Sequence, residues 1–77
     1  MSEHCKIEVS IVLPTFNEKE NVALAVDAIT KNLEGISFEI IIVDDDSPDL
    51  TWRVAQSLSE EKNNLKVIRR LDKNKSL

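Results

Sequence analysis

The segment Phe38-Glu39-Ile40-Ile41-Ile42-Val43, followed at once by three aspartates, constrains this chain more than anything else in it. Four consecutive β-branched aliphatic residues favour extended backbone, because branching at Cβ restricts χ1 against a helical turn. Continuous rather than alternating apolarity predicts a strand buried on both faces, the usual condition of a parallel sheet. The next six residues, Asp44-Asp45-Asp46-Ser47-Pro48-Asp49, are turn formers and read as a polar loop.

The flanking sequence supplies the partners that such a strand requires. Upstream, Ile7, Val9, Ile11, Val12 and Leu13 form a second apolar run. Pro14 is expected to end it, since proline has no N–H for a sheet ladder. Asn17 with Glu20 three residues later has the form of a capping box. Val22, Val26, Ile29 and Leu33 then recur at helical rather than strand spacing. Gly35, the only glycine, is placed to close that helix in a left-handed cap. Downstream, Asp49 or Thr51 is expected to cap a second helix with Val54, Ala55 and Leu58 on its apolar face. A third strand, Leu65–Ile68, follows Asn63-Asn64. The order β-α-β-α-β implies an α/β fold with a parallel sheet and right-handed crossovers, one half of a Rossmann-like arrangement.

Composition narrows the setting. At 77 residues the chain makes at most one small domain. Residues 1–6 are expected to be a flexible leader, with His4 and Cys5 on a frayed terminus rather than in a metal pair, and residues 7–77 to be the folded unit. No apolar stretch nears the roughly 18 residues of a membrane span. The leader has no apolar core of the secretory kind, and the single cysteine suits a reducing compartment. Net charge is −4, but Lys62, Lys66, Arg69, Arg70, Lys73 and Lys75 crowd the C-terminal end. No aromatic residue interleaves with them, so a solvated strand end is the simpler reading and no nucleic-acid partner is expected.

In open α/β sheets ligands bind beyond the carboxyl ends of the strands, which here are the loops Pro14-Thr15-Phe16-Asn17-Glu18 and Asp44–Asp49. In the first loop, the N–H groups of a helix start suit a phosphate or carboxylate, Phe16 offers a face to a base, and Glu18 offers an acceptor to ribose hydroxyls. In the second, adjacent carboxylates can accept from a base N–H or a ribose hydroxyl, or hold Mg²⁺. Each loop also has a plainer reading: Phe16 as core with a simple helix cap, and the aspartates as a solvated turn.

The ordered pair VLPTFNEKENV and EIIIVDDDSPDLT resembles the opening of family-2 glycosyltransferases of the GT-A fold, over the chain from Val9 to about Leu77. Within that family, the branch that moves mannose from GDP-mannose to dolichyl phosphate is the most similar. The resemblance implies that Pro14, Phe16 and Glu18 line the nucleotide, and that Val43 and Asp45 hold its base, Asp45 accepting from ring N–H groups. Asp44 would shape the loop. Asp44 and Asp46 spell Asp-x-Asp, but the family's metal-holding Asp-x-Asp lies downstream of a later strand. The implied Mg²⁺ or Mn²⁺ therefore has its ligands outside this chain. Asp46 and Leu50 stand where the family has glycine, and Leu50 is expected to alter the turn or the helix start. The resemblance further implies work at the cytosolic face of the endoplasmic reticulum, with membrane-anchoring partner subunits. The expectation is a partial GT-A nucleotide-binding domain, cut before its metal and acceptor sites and inactive alone. The alternatives are a non-catalytic nucleotide-binding or partner-docking module and, more remotely, a receiver-like phosphoacceptor domain.

Overall fold

The computed structural model describes residues 6–71. The expectations for the leader through Cys5, and for Lys73 and Lys75, lie outside the described residues.

Five elements follow in the expected order: β1 (Val9–Thr15), α1 (Val22–Asn32), β2 (Phe38–Asp44), α2 (Thr51–Glu61) and β3 (Leu65–Arg69). The strands form one parallel sheet in the order β1-β2-β3. The register sets Ile11 beside Ile40 and Leu13 beside Ile42, and on the other side Ile40 beside Leu65 and Ile42 beside Val67. Alternation along a strand sends all of these side chains to one face. There they meet Val22 and Val26 of α1 and Ala55 of α2, with Ile29, Val54 and Leu58 at the margin. Full burial of side chains such as Ile40 and Ile42 contributes about 1.5–3 kcal/mol each.

Among the described residues, no helix covers the opposite face. Val12, Pro14, Ile41, Val43 and Ile68 lie on it, half-buried or exposed. The two-sided burial expected of β2 is thus one-sided here: its continuous apolarity serves a packed face and an open one. Across the amino-terminal end of the open face runs a polar rung, in which the Ser10 hydroxyl donates to Glu39 and Lys66 lies 3.3 Å from it. Hydrogen bonds from Ser10 and Lys66 hold the Glu39 carboxyl below its ordinary range.

Pro14 does not end β1; it pairs in register with Val43. The reason is directional. The Thr15 carbonyl accepts from Asp45 N–H, so Thr15 faces β2 and the Pro14 nitrogen points the other way, to an edge that carries no partner strand among the described residues. An edge is where a strand tolerates proline. Helix α1 also begins later than the capping-box reading placed it. Its N-cap is Asn21, whose side chain makes no cap bond. Asn17 instead stands outside the helix at φ 55°, a left-handed value that asparagine tolerates. The Glu18 carbonyl accepts from Asn21 and Val22 N–H and starts the turn into the helix. Gly35 has the expected left-handed backbone, φ 86°, but follows a C-cap at Leu33 and lies within the Leu33–Ile36 turn.

Candidate functional site

Both loops named by the sequence lie at the carboxyl end of the sheet, and the structure shows how they are joined. Asp44, the last residue of β2, is fully buried. Its carboxylate accepts from the Thr15 hydroxyl at 2.6 Å, the Ser47 hydroxyl at 2.8 Å and the Ser47 N–H at 2.9 Å. Satisfied in this way, a buried carboxylate is tolerable; left with one partner it would not be. Asp44 therefore shapes the corner, and its oxygens are committed to protein donors.

Three successive backbone N–H groups of the first loop then cross to the second. Asn17 N–H donates to Ser47 Oγ at 2.9 Å, Glu18 N–H to Thr51 Oγ1 at 2.9 Å, and Lys19 N–H to Asp49 Oδ2 at 3.1 Å. These are the groups that the sequence reading offered to a phosphate, so that expectation is corrected: the second loop has taken them. Asp49 also accepts from Thr51 N–H at 3.0 Å and from the Thr51 hydroxyl. Burial disfavours its charge, but the bonds from Thr51 and Lys19, together with the Lys19 charge, outweigh it and hold the carboxyl below its ordinary range. The N-cap position of α2 is neither Asp49 nor Thr51 but Leu50, at φ 68° and ψ 32° without a side-chain cap bond. Asp49 satisfies the helix start from one residue further out. Leu50 and Asp46, at φ 68° and 54°, keep left-handed backbone without glycine.

The three adjacent aspartates are thus separated by partner. Asp44 is bonded inside the corner. Asp45 accepts from Arg70 Nε at 3.1 Å, and Asp46 pairs with Arg69 at 2.8 Å. The Arg69 guanidinium lies 3.7 Å from the centre of the half-buried Trp52 ring, a cation–π stack that fixes it between indole and carboxylate. The strand-end arginines are therefore partners of the acidic loop, where the sequence had suggested only a solvated strand end. Arg70 lines the same cleft as Asp45, a neighbour that sequence reasoning missed. The available signal was two arginines ending a parallel strand beside one that ends in aspartates.

Pro14, Thr15, Phe16, Val43, Asp45 and Arg70 line a cleft of about 280 Å³ on the open-face side of the corner. This is near the lower end of small-molecule pockets, roughly 300 Å³. Four of the five sequence-derived residues (Pro14, Phe16, Val43 and Asp45) therefore converge. Glu18 does not join them. It lines a neighbouring cleft of about 220 Å³ on the helix side, with Leu13, Asn21, Val22 and Ala25. Pro14 and Thr15 border both clefts, so one turn of chain divides them. Phe16 is exposed at the rim, presenting a ring to the larger cleft. Chemically, that cleft offers an apolar floor, an aromatic face, a carboxylate acceptor and a guanidinium donor.

A parallel α/β sheet with its cleft-lining loops at the carboxyl ends of the strands is a Rossmann-like arrangement, and comparison with known proteins makes the class specific. The model of glycosyl transferase family 2 matches residues 10–76, and the chain belongs to that family. It is 50% identical over 64 residues to a dolichol-phosphate mannosyltransferase of Pyrococcus furiosus, covering 83% of this chain and 18% of that protein. It is 33% identical to the glycosyltransferase AglE of Haloferax volcanii, covering 78% of this chain and 20% of that protein. It is also 32% identical to the uncharacterized glycosyltransferase MG060 of Mycoplasma genitalium, covering 77% and 20%. The chain spans about a fifth of the length of these relatives.

Proposed function

We propose that this chain is the nucleotide-recognition corner of a glycosyltransferase that moves mannose from GDP-mannose to dolichyl phosphate. The observation that carries the reading is the convergence of Pro14, Phe16, Val43 and Asp45 on one cleft at the carboxyl end of a parallel sheet. The choice of donor and acceptor rests on the 50% identity to dolichol-phosphate mannosyltransferase, and the other two relatives support glycosyl transfer alone.

In this reading the base lies against Phe16, over the apolar floor of Pro14 and Val43, and the Asp45 carboxylate accepts its ring N–H groups. Stacking and charge-assisted hydrogen bonds are then the binding terms. Glu18, in the adjoining cleft, is the acceptor nearest to the ribose side. The acceptor phosphate is already ionised and needs no strong base, so the harder task is to stabilise the departing GDP. Mg²⁺ or Mn²⁺ would supply that stabilisation as a Lewis acid. No group of three His, Cys, Asp or Glu side chains among the described residues could hold such an ion. Asp44 and Asp46 do not fit it either, since both are committed to protein donors. The proposal therefore assigns nucleotide recognition alone to this corner. It expects the chain by itself to bind without turnover, the role that a non-catalytic binding module would also fill.

Calorimetric titration of the chain with GDP and GDP-mannose tests the reading. Binding is expected, and Asp45→Ala should weaken it about ten- to a hundredfold, the range of a lost hydrogen bond to a charged group. Absence of GDP binding by the folded chain, or an Asp45→Ala variant that binds as before, would overturn it. A labelled-mannose assay with dolichyl phosphate separates binding from transfer.

A further inference from the structure

We infer that Arg70 is a specificity-determining residue of the cleft, reading the exocyclic oxygen of a 6-keto purine beside Asp45. The inference rests on the nucleotide reading above and names the part of the base that each side chain recognises.

Of the side chains lining the cleft, Pro14, Phe16 and Val43 have no donor. The Thr15 hydroxyl is directed into the Asp44 carboxylate, away from any ligand. Asp45 can only accept while ionised. Among the described residues, Arg70 is the one side chain there that can donate to a ligand. Its position is fixed from two directions. Its backbone N–H donates to the Asp44 carbonyl at 2.7 Å, continuing the β2–β3 ladder one residue past the strand. Its Nε holds Asp45 Oδ1 at 3.1 Å, while the remaining N–H groups of the guanidinium belong to the terminal nitrogens beyond that bond. Both side chains are about one-third exposed, so a ligand can reach them and their bond is only partly screened by water.

A guanidinium donor fixed beside a carboxylate presents donor, acceptor, acceptor in sequence. Guanine presents the complement along its pairing edge: the O6 acceptor, then the N1–H and N2–H donors. The second lone pair of Asp45 Oδ1 and those of Oδ2 can take the two N–H groups, and a terminal nitrogen of Arg70 takes O6. Adenine in the same register sets its N6 amino group against the guanidinium and its N1 lone pair against the carboxylate, mismatched at both. Asp45 alone does not make this distinction so sharply, because a carboxylate can also accept from the adenine amino group. Arg70 converts an N–H acceptor into a reader of the keto edge.

The test compares GDP, IDP and ADP on the 77-residue chain, its Arg70→Leu and Arg70→Lys variants, and Asp45→Ala. IDP keeps O6 and N1–H but lacks the 2-amino group. The wild-type chain is expected to prefer both GDP and IDP over ADP by roughly tenfold or more, the discrimination of one good donor–acceptor pair. Arg70→Leu should bring both preferences close to unity, chiefly by weakening the keto nucleotides. Arg70→Lys, which keeps a donor but not the fork, should restore part of them. Circular dichroism checks that the variants remain folded, which the backbone bond from residue 70 favours. If Asp45→Ala abolishes GDP binding while Arg70→Leu leaves the GDP-to-ADP ratio intact, this inference falls and the nucleotide reading stands. If the wild-type chain binds GDP no better than ADP, and Asp45→Ala changes nothing, both fall.

Discussion

Leu50 shows how a single residue can carry strain that a turn demands. Its left-handed backbone costs a residue with a Cβ about 1–2 kcal/mol, and its side chain is 42% exposed, which limits the burial that could offset this. Glycine removes the clash but loses more freedom on folding, a penalty of about 0.5–1 kcal/mol. Leu50→Gly is therefore expected to stabilise the chain by up to about 1 kcal/mol, read as a higher urea midpoint at unchanged slope. An unchanged or lower midpoint would mean that Leu50 makes packing contacts worth as much as its strain. The position was legible through the resemblance, because the family has glycine there, but its backbone was not. Whether a loop yields or a residue bends depends on how firmly the loop is held elsewhere. Here Leu50 lies between Asp49 and Thr51, both bonded across to the first loop.

Between elements, the two loops behave as one unit held by the side chains of the second. Asp49 is a member whose charge can be removed with little change of shape. Its folded-state pKa is depressed from the ordinary 3.8, so its contribution is complete above that value and is lost as pH falls through the lower folded pKa. Asp49→Asn should accordingly lower the thermal midpoint near neutral pH, and the gap from wild type should narrow in the acid range below about pH 4. A gap independent of pH would remove the carboxylate charge from the account. The elements themselves were readable because the apolar period changes cleanly from strand to helix and back. Their ends were less so. Pro14 belongs to β1 because its nitrogen faces away from β2, a fact about neighbours rather than about proline. The loop bonds were hidden for the same reason, since Ser47 and Thr51 serve N–H groups 30 and 33 positions away. The convergence of Pro14, Phe16, Val43 and Asp45 was legible because strand ends in a parallel sheet must lie together. Arg70 escaped because its partner stands 25 positions earlier, on another strand.

At the scale of the molecule, one sheet face is packed and the other is not. Among the described residues, Val12 and Ile68 are 61% and 50% exposed on a face that no helix covers, and β1 and β3 each have one edge without a partner strand. Apolar surface beside open strand edges favours self-association. The variant combining Val12→Thr with Ile68→Lys should move self-association to higher protein concentration in light scattering, while shifting unfolding stability by no more than about 0.5 kcal/mol. Association unchanged by the pair would place its origin elsewhere. No helix among the described residues is long and apolar enough to cross a membrane. The corner at the sheet's carboxyl end has a consequence of another kind. Asp44, Ser47, Asp49 and Thr51 fasten it, whereas Asp45 and Asp46 reach outward to arginines. Alternating duties within one octapeptide let descendants of such a chain retune what they accept while inheriting an intact scaffold.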